Sequence, residues 1–253
     1  MQGITVDGGN MADITEWQAR CDIAAAFRLS YRMGYNVGLG NHFSLMLPGY
    51  DDRFLVNARG LLFQEITASN LVLVHFDGTV LSGDRPVRKV AWNIHAPIHR
   101  GNAAARCAIH LHPPAITALS LIEDGRLALA HHNNLIVNDR VVYDDAMTGP
   151  AVNDEAEGDR LAEVLGDKTI MVMANHGVLV VGPTVEDAFH ELAVVEGTCE
   201  NQLKAMSTGR KLREQPAHLR WNMTGRWGDA LDSRLYLDAW RRILDKEEPD
   251  YAS

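Results

Sequence analysis

The chain has 253 residues, 46% hydrophobic and 23% charged, enough for one large domain or two small ones with a sizeable core. Its formal charge of −9 excludes the basic face that broad nucleic-acid or anionic-membrane binding requires. No apolar stretch approaches the roughly 18 residues of a membrane span, and Cys21, Cys107 and Cys199, odd in number and far apart, fit a reducing cytoplasm rather than a disulfide framework.

The opening MQGITVDGGNMADITEW has neither a basic n-region nor an apolar run, so no signal peptide is expected and residues 1–13 read as a flexible terminus. ITEWQARCDIAAAFRLSYRMG carries apolar residues at helical spacing and stops at Gly34. HFSLMLP and RFLVNA are short strands split by GYDD, a hairpin signal. NLVLVHFDGTVL repeats that pattern with Asp77-Gly78 as the turn pair. KVAWNIHAPIHRG reads as a helix, ARCAIHLH as a strand, and Pro113-Pro114 starts a helix to about Leu121. TIMVMANHGVLVVGP reads as two strands pinched at Asn175-His176-Gly177. One long helix follows, capped by Thr184, acidic in its first turn and stopped by Gly209. HLRWNMTGRWGD is irregular, and SRLYLDAWRRILDKEEPDY is a last amphipathic helix ended by Pro249. The organisation expected is one domain over 14–210 with a C-terminal arm and helix, 211–253, belonging to it. Hairpins mixed with flanking helices predict an α/β sandwich with a mostly antiparallel sheet.

Eleven histidines are many for this length, and three have informative settings. On a strand, residues i and i+2 share a face, so His110 and His112 aim both imidazoles at one spot. Such a pair can chelate a divalent metal, and it can equally be satisfied by carbonyls at a strand end. His176 lies at a bend between two apolar strands, where a polar ring needs a partner. Together they suggest a three-histidine site open to water or substrate, the arrangement of catalytic metal centres. His131-His132 are adjacent, and on a strand they would point to opposite faces, so they are not counted as ligands.

The segments GNHFSLMLPG, LVNARG, ITASNLVLVHFDGTVLSG, IHLHPPAITALS and ANHGVLVVGPTVEDAF, across roughly residues 15–210, resemble the class II aldolase/adducin family, which includes fuculose-phosphate aldolase. The resemblance implies a three-layer αβα sandwich, a homotetramer with sites between subunits, and one divalent metal per subunit. Zinc is the foremost candidate, manganese and iron the alternatives. His110, His112 and His176 fall on the family's metal-binding histidines. Gly40, Asn41 and Ser44 keep the family's anion-loop pattern, and Tyr251 resembles its C-terminal aromatic that closes a site across a subunit boundary.

The departures from the family are specific. Its sugar-phosphate aldolases carry a Ser-Ser-Glu segment that holds phosphate and supplies an acid/base; here the stretch reads DRPVRKVAWNIH. The phosphate loop has become NARG, with Arg59 before Gly60. Positive charge replaces the carboxylate: Arg59 offers a planar clamp for a carboxylate, and Arg88 and Lys89 stand where substrate is met. Some relatives are metal-dependent decarboxylases of hydroxylated aromatic or pyridine carboxylic acids, which need an electron sink rather than a strong base. The expectation is therefore a cytoplasmic metal-dependent carbon–carbon lyase for a small oxygenated carboxylate, with decarboxylation favoured over aldol cleavage. An aldolase for a non-phosphorylated hydroxy-carbonyl substrate, a non-catalytic adducin-like scaffold and an iron-dependent oxygenase are the rivals. Arg59, Lys89, His95 and Tyr251 are the candidate catalytic residues, and Gly40, Asn41, Ser44, Arg59, Gly60 and Arg88 the candidate substrate contacts. His42 and His99 are weaker pocket candidates; Glu65, Asp144 and Asp145 are the nearest substitutes for the missing acid.

Overall fold

A computed structural model describes residues 15–146, 155–216 and 230–253. The terminus expected to be flexible and the irregular stretch at 218–229 lie outside the described residues. Helix α1 (Glu16–Arg32) starts where the Thr15 hydroxyl accepts the Gln18 N–H, and Gly34 follows its end at φ +70°. Strands β1 (His42–Met46), β2 (Arg53–Val56), β3 (Val72–His75) and β4 (Val80–Ser82) form successive hairpins. Then come α2 (Lys89–Gly101), β5 (Cys107–Leu111), α3 (Pro114–Ser120), α4 (Asn134–Val137), β6 (Val141–Asp144) and α5 (Glu155–Leu165). Strands β7 (Ile170–Met173) and β8 (Gly177–Gly182) and helices α6 (Val185–Met206) and α7 (Ala230–Glu247) complete the described elements.

The eight strands make one sheet in the order β4-β3-β2-β1-β5-β8-β7-β6, antiparallel except for the β6–β7 pair. Alternation along each strand decides which layer a side chain joins. Phe43, Leu45, Ile109, Leu111, Val172 and Val180 turn to the core shared with α1, α3, α6 and α7. Met46, Phe54, Ala108, Met171, Leu179 and Val181 turn the other way, toward α2 and α5. With helices on both faces, the expected α/β sandwich is the observed one.

Three elements were not legible beforehand: α4, β6 and α5. β6 is four residues long, edges the sheet and runs parallel to β7. The sequence of α5, EAEGDRLAEVL, is charge-rich and broken by a glycine. That glycine has a packing reason. Pro97 inside α2 has no N–H to offer the Asn93 carbonyl four residues back. Gly158 lies against that carbonyl, and a Cβ there would come within 1.9 Å of its oxygen. His131-His132 occupy a turn leading into α4 rather than a strand.

The helix after the His-x-His strand is anchored from α6. Buried Glu196 accepts the Ala115 N–H at 2.8 Å and the Ile116 N–H at 2.9 Å, through one carboxylate oxygen each. Burial pushes its carboxyl pKa up, and the two donors pull it back. Glu196→Gln turns an amide N–H₂ against one of those donors. It should cost about 1–3 kcal/mol, lowering Tm by roughly 2–4 °C per kcal/mol; an unchanged circular-dichroism melt would refute this anchoring role.

Candidate metal centre

The centre is built at the ends of the middle strands. His42 and His110 are register partners across the β1–β5 ladder, and Leu111 faces Val178 across the β5–β8 ladder. His112 lies just beyond β5. His176 stands in a tight turn whose N–H donates to the Met173 carbonyl, after Asn175 at φ +55°. The candidate ligand atoms of His110, His112 and His176 lie within 4.8 Å of one another. The Nε2 atoms of His110 and His112 approach to 3.3 Å, and all three ring centroids are 4.8–5.0 Å apart.

The donor set fits a divalent metal on its own chemistry. A carbonyl can only accept, so His110 Nδ1, 3.1 Å from the Val178 carbonyl, carries the proton and Nε2 keeps its lone pair. That is the outer hydrogen bond by which metal-bound histidines are oriented. Burial lowers the pKa of His110 and of His176, and brings that of His112 down to about 4, so all three rings are neutral at pH 7. His110 is buried, His112 half-buried and His176 exposed, which leaves the cluster open on one side. No carboxylate joins it among the described residues.

Behind the triad runs a second set of histidines. His42 and Ser44 project from the α2 face of β1, and α2 presents His95 and His99 one turn apart. His42 Nδ1 is 2.7 Å from His95 Nε2. The Ser44 hydroxyl bonds His95 Nδ1 and lies 2.7 Å from His99 Nε2, and His99 Nδ1 meets the Ala105 carbonyl. The rings of His42 and His110 are 4.9 Å apart.

The other expected site residues divide sharply. Arg88 is near: its guanidinium donates to the Leu39 carbonyl, and its charge helps lower the pKa of His42, after burial and His95. Gly40 is exposed in the same loop. Asn41 is buried, its Oδ1 accepting the Val37 N–H and its carbonyl the Asn57 amide, so it braces the loop, while its own Nδ2 has no hydrogen-bond partner among the described residues. Ser44 is fully buried with its hydroxyl held between two histidines, which corrects its expected substrate contact. His95, equally buried, touches His42 and Ser44 and has no surface for substrate. Arg59, Gly60 and Lys89 are exposed, and no hydrogen bond between described residues ties the Arg59 or Lys89 side chain to the histidines.

Tyr251 is the clearest correction. It is 4% exposed within its own chain and donates its hydroxyl to Asp245 at 2.7 Å, so its ring and hydroxyl are taken up inside the chain that carries it. Its segment is fixed by Arg28, which pairs with Glu248 and Asp250. Nor do the substitute acids reach the centre. Glu65 accepts the Leu62 N–H, Asp144 pairs with Arg160 and Asp145 with Arg126. A cavity of about 420 Å³ borders Asn175 but is lined by none of the three histidines.

The molecule is thus an eight-stranded α/β sandwich carrying an open three-histidine cluster at its strand ends. The chain belongs to the family described as Class II Aldolase and Adducin N-terminal domain, whose model matches residues 21–203. A Caulobacter vibrioides protein named after the class 2 aldolases is 34% identical over 241 residues, covering 94% of this chain and 93% of its own. An aldolase II superfamily protein from Pseudomonas syringae superposes with a TM-score of 0.88 at 33% identity, over 94% of this chain and 96% of the other. L-fuculose 1-phosphate aldolase from Glaciozyma antarctica shares the fold at a TM-score of 0.83 and 22% identity, covering 97% of this chain and 96% of its own.

Proposed function

We infer that the chain is a metal-dependent carbon–carbon lyase for a small oxygenated carboxylate, releasing carbon dioxide in preference to an aldehyde. The observation that carries this reading is the charge balance of the centre: three neutral histidines converge with no carboxylate among the described groups around them, and the Arg88 cation acts on His42, the register partner of His110. A divalent cation held by His110, His112 and His176, zinc foremost and manganese or iron as alternatives, would supply Lewis acidity toward a substrate oxygen. Uncompensated positive charge favours an anionic substrate. Arg88, anchored on the 37–41 loop, would hold the carboxylate. Without a Glu base, the centre suits loss of a carboxylate better than deprotonation by a strong base. A homotetramer in the cytoplasm is the assembly this reading expects, with some residue other than Tyr251 closing the site.

The test is metal content by mass spectrometry on untagged protein, beside a His110→Ala/His112→Ala double variant. About one metal per chain, lost in the variant, is expected. The loaded protein is then screened on hydroxy- and oxo-carboxylates for carbon dioxide, aldehyde and oxygen uptake. Carbon dioxide release supports the reading and aldehyde moves it to an aldolase. Oxygen uptake moves it to an iron oxygenase. Failure to take up zinc, manganese or iron would leave an adducin-like scaffold.

A further inference from the structure

The hydrogen-bond directions behind the triad can be assigned one after another. The Ala105 carbonyl can only accept, so His99 carries its proton on Nδ1 and leaves Nε2 as an acceptor. The Ser44 hydroxyl therefore donates to His99 Nε2, and its oxygen accepts from His95 Nδ1–H. His95 Nε2 is then a lone pair, and His42 Nδ1–H donates to it at 2.7 Å. All four groups are buried, so no water competes for these roles. One carbonyl thus sets the tautomer of a histidine four hydrogen bonds away.

We propose that this chain fixes His42 as an obligate hydrogen-bond acceptor beside the metal centre, so that the preferred substrate presents a hydroxyl group next to its metal-binding oxygen. The 1,3-relation of the ring nitrogens sends His42 Nε2 away from His95, and it has no hydrogen-bond partner among the described residues. His42 pairs in register with His110 and lies 4.9 Å from it, ring to ring, at the same strand ends. It does not join the three-histidine ligand set, whose atoms lie within 4.8 Å of one another. An acceptor in this place recognises O–H and rejects an ether, a ketone or a second carboxylate oxygen. Arg88, tied to the Leu39 carbonyl on the loop that leads into β1 and His42, supplies donors for a carboxylate, so the substrate class becomes a hydroxy-carboxylate. His42 is thereby a specificity residue, and Ser44, His95 and His99 are positioning residues. The inference rests on the metal site proposed above but not on the reaction catalysed there.

Histidine-selective ¹⁵N NMR of the zinc-loaded protein reads the tautomers directly. Nδ1–H is expected for His42, His95 and His99, and Nε2–H on His42 would overturn the proposal. Binding to the zinc-loaded protein is then measured calorimetrically with glycolate and with methoxyacetate, its O-methyl ether. Wild type should bind glycolate about tenfold more tightly. His42→Phe, which keeps a ring but removes the acceptor, should bring the ratio close to one with zinc stoichiometry unchanged. An unchanged ratio, or loss of zinc in that variant, would refute the assignment, the latter by making His42 a ligand. If His42→Phe does not fold, Ser44→Ala serves: it should give His42 a mixture of tautomers, and a pure Nδ1–H signal there would overturn the proposal. A preserved hydroxyl preference without carbon–carbon cleavage would sink the lyase reading alone.

Discussion

Gly177→Ala should weaken zinc binding by about ten- to a hundredfold without touching a ligand. A Cβ at residue 177 would come within 2.4 Å of the Leu111 carbonyl oxygen and 2.6 Å of His112 Cδ2. The first contact is backbone in the middle of the sheet, which has little room to move. The second is the ring of His112, a proposed ligand, which must therefore turn. Groups that only orient a ligand change metal affinity by about that factor when they are altered. Overpacking adds about 1–3 kcal/mol of lost stability. Competition of the protein with a zinc chelator measures the affinity, and urea unfolding of the metal-free protein measures the stability. Gly197→Ala in α6 is the control: a Cβ there meets nothing within 4 Å, and it should stabilise by up to about 1 kcal/mol. Equal zinc affinity in Gly177→Ala and wild type would mean that the turn does not position His112.

The metal-free protein should lose stability steeply as pH falls below neutrality. Burial holds the His99 pKa down to about 4, and burial followed by neighbouring histidines lowers those of His42 and His95. In the unfolded chain the same groups titrate near 6.5. Between those values the unfolded state binds protons that the folded state refuses. The stability is thus fully present above about pH 6.5 and drains away toward pH 4. His99 alone accounts for about 2 kcal/mol between pH 7.5 and 5. Glu186, Glu191 and Glu196, raised by burial, work in the opposite direction and soften the lower end of the curve. Urea unfolding at both pH values, on wild type and on non-titrating His99→Gln, separates these effects. Wild type should lose about 2 kcal/mol more than the variant; parallel losses would show that His99 is not buried neutral.

Much of the frame was legible because it rests on local chemistry. Gly34, Asp77-Gly78, Thr184 and Gly209 mark element ends by capping and turn geometry that needs no tertiary context. The His-x-His strand and the His176 turn were legible for the same reason: period two and a bend suffice to aim the rings. What escaped was decided between elements. Gly158 looks like a helix breaker until the Asn93 carbonyl is set against it. Ser44 was assigned to substrate because its loop pattern resembles an anion site, whereas strand parity faces it toward α2. Spacing did hold the signal for the second histidine set: His42 and Ser44 are i, i+2 on a strand, and His95 and His99 are i, i+4 on a helix. Nothing in the sequence alone said that those two faces meet. Tyr251 was misjudged because the grip of Arg28 on Glu248 and Asp250 spans more than two hundred residues.

The strand order also determines when the proposed metal site can be completed. β1, β5 and β8 lie side by side in the middle of the sheet, yet they start at residues 42, 107 and 177. Pairings so distant along the chain form slowly and late. A ribosome adding about 5–20 residues each second exposes the His-x-His pair several seconds before His176 is available, and β8 must follow to hold that turn in place. A growing chain therefore offers only a bidentate, easily stripped foothold. Loading becomes an event of the finished fold. Later exchange of the ion would proceed through opening of the exposed His176 turn, a small local excursion, rather than through unfolding of the sheet.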